Sequence, residues 1–244
     1  KKRRVEEKIR ARALEFWKTA KEKQARDRRL ILYNKDSRSP QCSFFSNMSH
    51  SPFKPSVAPF DKVTEVSSLE KGYVIFKIGK WNEKQGCPRR PVPQEVWQTD
   101  DPVALKGLGN TYTDKQWAVT ENRYSGATRY MMTRLMQNKF RQCGPALRRL
   151  IESVDAYLAE ATRCEFWGIG HKIPRPDVVN HHTLPVMVTD VQRHRGCNAQ
   201  GVFLMITRDE ARRWAAAMRP VPRPLAAPGV GPSRAGPSNG VDPR

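Results

Sequence analysis

The stretch Glu160-Ala161-Thr162-Arg163-Cys164-Glu165-Phe166-Trp167-Gly168-Ile169-Gly170 runs an apparent strand directly into an aromatic residue followed by two glycines. Glycine permits close backbone approach and positive φ, and an indole offers a flat face on which a heteroaromatic ring can stack. The combination suits a base or nucleoside pocket. A Trp-Gly turn that caps a core uses the same residues, and the local sequence leaves both readings open. Metal chemistry has less support. The five cysteines, Cys42, Cys87, Cys143, Cys164 and Cys197, are odd in number and far apart, without a CxxC pair or a zinc-like spacing. They are expected to be reduced thiols.

The elements that must position such a site are partly visible in the hydrophobic pattern. Leu30 to Tyr33 reads as a buried strand ended by the polar segment Asn34 to Pro40, and Tyr157 to Thr162 as a second short strand. Helical periods run over Ser67 to Lys80 (Leu69, Tyr73, Phe76, Lys77), Thr128 to Phe140 (Met131, Met132, Leu135, Met136, Phe140), Ala146 to Ile151, and Gly201 to Met218. The methionine-containing stripe is expected to be core, since thioethers fill irregular gaps. Trp81 to Thr99, rich in proline, glycine and charge, reads as an exposed loop. One domain, spanning 28–218 and flanked by extensions, is the default reading for a chain of this length.

The formal charge of +20 is unevenly spread: residues 1–29 carry a net +8 and residues 211–244 a net +5, leaving +7 on the centre. Residues 1–27 form a basic extension in which Val5, Ile9, Ala13, Phe16, Trp17 and Ala20 mark an amphipathic helix; it either docks on the domain or lays cations on phosphates. Residues 219–244 are a Pro/Gly/Ala-rich tail expected to be disordered. Nucleic acid or an acidic partner is the expected ligand of these ends. No apolar run is long enough for a membrane span, and no signal peptide is visible; we expect no membrane partner and a cytoplasmic location, with the nucleus as the alternative suggested by KKRR. The chain begins at Lys1, which suggests a piece of a longer polypeptide.

The segment Glu160 to Gly170 resembles the strand-to-loop signature of the NADAR (NAD- and ADP-ribose-associated) family, approximately E-A-[ST]-x-x-D-x-x-W-G-x-G. Other pieces follow in the family's order. Phe45-Ser46-Asn47 with Ser51-Pro52-Phe53 resembles its early S-N-[FY] and P-F segments, and Ser68-Leu69-Glu70 with Tyr73 and Lys77 resembles its Glu-bearing helix. Asp101 to Gly109, Trp117 followed by Met132, Leu135, Lys139, Phe140 and Gln142, and Gly196 to Gly201 with Leu204, Met205 and Arg208 are similar to its later segments.

The resemblance implies a compact, mainly helical α+β domain with a small sheet, an N-glycosidase that cleaves a C–N bond between a ribose and a base-like or amine leaving group. Its expected substrate is a ribosylated nucleotide, such as a phosphoribosyl intermediate of riboflavin biosynthesis, or an ADP-ribose-type compound, with no metal or redox cofactor. An oxocarbenium-like sugar calls for a carboxylate, and Glu70 is the candidate. Trp167 and Trp117 would wall the pocket as further catalytic residues. Ser46, Asn47, Tyr73, Lys77, Gly168, Gly170 and Asn198 would bind substrate, with Lys77 meeting a phosphate unless it only offsets a helix C-terminus. The chain departs from the family at Cys164, where the signature has an acid, and at Gln200 and Leu105; Glu165 adjoins Cys164 but on a strand would point to the opposite face. A degenerate domain that binds ADP-ribose without cleaving it is therefore the competing expectation, and a nucleic-acid-associated or assembly role of the basic ends is a third.

Overall fold

A computed structural model describes residues 3–5, 7–12, 15, 30–33, 43–57, 60, 65–171 and 194–217. The tail, the turn at 34–40, and Ala13, Phe16, Trp17 and Ala20 of the basic extension lie outside the described residues. Residues 3–5 and 7–12 are helical, with Ile9 buried in the core and Val5 packed against it. Arg10 Nη2 donates to the Arg195 carbonyl at 2.8 Å. This part of the extension is docked on the domain.

Two strands, β1 (Leu30–Tyr33) and β2 (Tyr157–Glu160), pair in parallel, with Leu30 opposite Tyr157 and Tyr33 opposite Glu160. Near-continuous apolar sequence is what a strand covered on both faces requires. Around them lie α1 (Leu69–Lys84), α2 (Gln94–Gln98), α3 (Pro102–Thr111), α4 (Lys115–Thr120), α5 (Gly126–Gln142), α6 (Gly144–Glu152) and α7 (Ala199–Ala217). The mainly helical α+β architecture is the one the family resemblance implies. Helix α1 packs on α3 and α5, and α7 packs on β2, α5 and α6. Met131, Met132, Leu135, Met136 and Phe140 on α5 are all buried in the common core.

Local chemistry sets the helix starts. Ser68 caps α1 by accepting from Lys71 N at 3.2 Å, Asp101 caps α3 through Val103 N and Ala104 N, and Asp114 caps α4 through Trp117 N. Such caps contribute about 1 kcal/mol each, and they establish α3 and α4, which have no clear apolar period. Helix α1 also runs four residues beyond Lys80, because Asn82 is buried and its Nδ2 bonds the Arg90 carbonyl at 3.1 Å. Lys77 is therefore mid-helix, which removes the helix-end explanation for it.

The expected loop over Trp81 to Thr99 is corrected accordingly. It begins as helix and contains α2, whose Val96 is fully buried. Lys71 Nζ ties it down by donating to the Trp97 carbonyl and Asp100 Oδ1, both at 2.8 Å. Strand β2 ends at Glu160, two residues before the predicted Thr162, because Thr162 N turns back to the Glu160 carbonyl at 2.9 Å.

Candidate active site

A cavity of about 620 Å³ opens between the first turns of α1, the helices α3 and α4, the loop 43–49 and the turn that follows β2. Ser46, Asn47, Glu70, Tyr73, Lys77 and Trp167 line it together, although they come from three separate segments of the chain. The loop contributes Ser46 and Asn47, and the Asn47 carbonyl accepts from Glu70 N at 3.0 Å, which joins the loop to the start of α1. On α1, Glu70, Tyr73 and Lys77 follow at three- and four-residue steps, so a single face of the helix delivers all of them.

Glu160, at the end of β2, also lines the cavity. It is half-buried as a residue, but its Oε2 is sealed from solvent without a hydrogen-bond partner. Burial, the nearby Glu70 carboxylate and the opposing pull of Lys106 leave the Glu160 carboxyl pushed up to about 8. Burial raises Glu70 too, while Lys106 and Lys77 pull it down. Two carboxyls that oppose each other's ionisation titrate as a pair, and the one beside the cations ionises first. Glu160, pushed up to about 8, is thus the one of the pair that keeps its proton at neutral pH, and Glu70, with both Lys77 and Lys106 beside it, is the better placed of the two to carry charge.

The cations are arranged by depth. Lys77 is buried and bonds Asn110 Oδ1 at 3.3 Å; burial, against the pull of Glu70, brings its ammonium down to about 8. Lys106, Lys115 and Arg163 are exposed at the rim, and Arg123 lies over the Phe166 ring at 5.8 Å. Trp167 is half-buried and braced edge-on by Tyr73 at 5.4 Å and Phe166 at 4.7 Å.

The remaining expected site residues are not in the lining. Trp117 packs its ring on Trp81 at 5.0 Å, so the wall from α4 is made by Ala118 and Val119 instead. Asn198 has φ of +49° and spends its side chain on the protein, accepting from Glu160 N at 3.0 Å and donating to Tyr157 Oη at 3.1 Å and the Leu158 carbonyl at 2.8 Å. Gly168 is needed because a Cβ there would come within 2.5 Å of the Glu160 carbonyl, and Gly170 has φ of +79°. These three residues hold the turn against β2 and α7. Cys164 lines the cavity, whereas Glu165 is exposed in a turn and cannot replace the missing acid.

A family model for the NADAR domain matches residues 32–212. The chain belongs to the NADAR family. This family is associated with N-glycosidase activity in general. Comparison with curated proteins gives no match. Among solved structures, the NMR structure of the E. coli protein YbiA is similar, with 17% identity and a TM-score of 0.47, covering 78% of this chain and 92% of that one.

Within this NADAR domain the motif residues divide by task. Lys139 is fully buried and donates to the Phe44 carbonyl at 2.9 Å, Ser49 Oγ at 2.8 Å and the Ser46 carbonyl at 3.4 Å, which fixes the loop bearing Ser46 and Asn47. Gln142 clamps Lys54 through both its N–H and its carbonyl. Arg208 Nη1 donates to the Ala156 carbonyl and Ser153 Oγ. Sequence reasoning missed Glu160, Lys106 and Arg123 as members of the site. Glu160 opens the signature motif, which was the available signal; Lys106 and Arg123 carry none beyond their charge.

Proposed function

We propose that this domain is an N-glycosidase that hydrolyses the C–N bond between a ribose and a nitrogenous leaving group on an ADP-ribose-like or ribosylated nucleotide substrate. The observation that carries the reading is the pair Glu70 and Glu160, two carboxyls facing one cavity, the first with Lys77 and Lys106 beside it and the second with a sealed oxygen and a raised affinity for its proton. Cleavage breaks the bond from the sugar anomeric carbon to nitrogen. Glu160 gives its proton to that nitrogen, and the electron pair of the bond leaves with it. The Glu70 carboxylate stabilises the cationic sugar and takes a proton from the water that adds to the anomeric carbon. Trp167 faces the leaving heterocycle, and Lys77, Lys106 and Arg123 receive phosphate oxygens.

A second reading is favoured by Cys164, which stands in the cavity where the family signature has an acid: a domain that binds such ligands without cleaving them. Incubating the full chain with a panel of ribosylated substrates in ¹⁸O-water distinguishes the two. The glycosidase releases free leaving group and a sugar labelled at its anomeric hydroxyl, and Glu70→Gln abolishes both while retaining binding. Binding without release would support the second reading. Neither binding nor release would reject both and direct attention to the basic ends.

A further inference from the structure

Tyr33 stands directly behind the proposed proton donor. The parallel register pairs it with Glu160, and side chains of paired residues leave a sheet on the same face. Tyr33 has no exposed surface, and its hydroxyl has no hydrogen-bond partner; Glu160 Oε2 is sealed and unpartnered in the same way. The phenol cannot swing away. Its ring packs edge-on against Phe45 at 5.7 Å, and its own carbonyl accepts from Ala161 N at 2.8 Å, which locks the strand end beside Glu160. A buried hydroxyl and a buried carboxyl oxygen on one face of adjacent strands, both unpartnered among the described residues, are placed to serve one another.

We propose that Tyr33 is a positioning residue whose hydroxyl donates to Glu160 Oε2 once that carboxyl has passed its proton to the leaving nitrogen. The inference rests on the glycosidase reading for its catalytic meaning. A donor stabilises the protonated carboxyl only modestly and the ionised carboxylate, in a sealed site, far more. A bond that strengthens on proton transfer favours the transfer itself. The groups facing Glu160 are Glu70 from α1, which opposes its ionisation, Lys106 from α3, which favours it, and the Tyr33 phenol from β1. Burial and the neighbouring Glu160 and Tyr157 keep that phenol protonated, so its O–H remains available to donate.

The test is a carboxyl titration of the full chain labelled with ¹³C-glutamate, with Glu160 assigned by its absence in Glu160→Gln. In Tyr33→Phe the Glu160 carboxyl is expected to titrate about one pH unit higher than in the unsubstituted chain, roughly a tenfold gain in proton affinity. An unchanged titration would overturn the proposal. Should Tyr33→Phe fail to fold, the Tyr33 Cζ resonance of the unsubstituted chain gives the answer: it moves with the Glu160 titration and not in Glu160→Gln, and a resonance that ignores Glu160 overturns the proposal. Neither readout needs turnover, so a chain that hydrolyses nothing would sink the glycosidase reading and leave this test intact. With an active chain, Tyr33→Phe lowers kcat at unchanged KM, a split that simple loss of stability does not produce.

Discussion

Lys139 and Asn198 are buried at least as thoroughly as Glu70, yet the protein treats the two kinds of residue in opposite ways. The Lys139 ammonium reaches three oxygens of the loop 43–49, and the Asn198 amide makes three bonds to β2. In the cavity, Glu160 Oε2 and Asn47 Oδ1 are sealed without partners among the described residues, and burial together with the Glu70 carboxyl opposes ionisation of Glu160. A polar group satisfied by backbone defines shape. A buried polar group left unsatisfied on the wall of an open volume marks a place where the protein keeps chemistry in reserve. The family motifs contain both kinds, so membership of a motif does not by itself assign a residue to the chemistry.

The sharpest way to break this comparison is to exchange a carboxyl for its amide. Glu160→Gln is expected to lower turnover by roughly 10²- to 10⁴-fold, the usual contribution of a positioned acid, with the melting temperature unchanged or raised because no buried acid remains to be ionised. Turnover assays and thermal denaturation on one preparation check both halves. Lys139→Met should do the reverse in emphasis: it strands buried oxygens and costs on the order of 3 kcal/mol of stability, seen as a lower denaturation midpoint, with activity falling only as the loop loosens.

A smaller effect separates the tryptophans. Trp167→Ala is expected to raise KM about tenfold through lost stacking, whereas Trp117→Phe costs about 1 kcal/mol of stability by loosening its packing on Trp81 and leaves KM unchanged. Steady-state kinetics on both variants decides it.

Protonation gives the gentlest test. Glu160 titrates near 8 in the fold against an ordinary value of 4.5. Between those values the unfolded chain has lost this proton and the folded chain keeps it, so the Glu160 contribution makes stability decline as pH rises from about 4.5 to about 8 and levels above that. Glu160→Gln should flatten that part of the profile in pH-dependent denaturation.

Much of the scaffold was legible because periodicity survives folding unchanged. Leu30–Tyr33, the methionine stripe of α5 and the face carrying Glu70, Tyr73 and Lys77 are written in local spacing. The short helices α3 and α4 were not, since their starts depend on single aspartate caps and their sequences are interrupted by Gly107 and Gly109 or last only six residues. The site was legible where a motif residue faces the cavity, as with Asn47 and Trp167. It was not legible at Trp117 and Asn198, which lie outside the cavity lining and whose types suit a ligand and a framework equally well; only packing separates the two. Glu160 escaped notice because a strand-end glutamate acquires its raised affinity for a proton first from burial in the fold and then from Glu70, ninety residues away in sequence, and neither is written locally.

The most direct test of the central claim is a double-mutant cycle on single-turnover release of the leaving group, using Glu70→Gln, Glu160→Gln and both together. If the two carboxyls act as one unit on one substrate, each single substitution collapses the rate and the double is scarcely slower than the slower single. Losses that multiply, or full turnover surviving either single substitution, would contradict the shared-cavity mechanism.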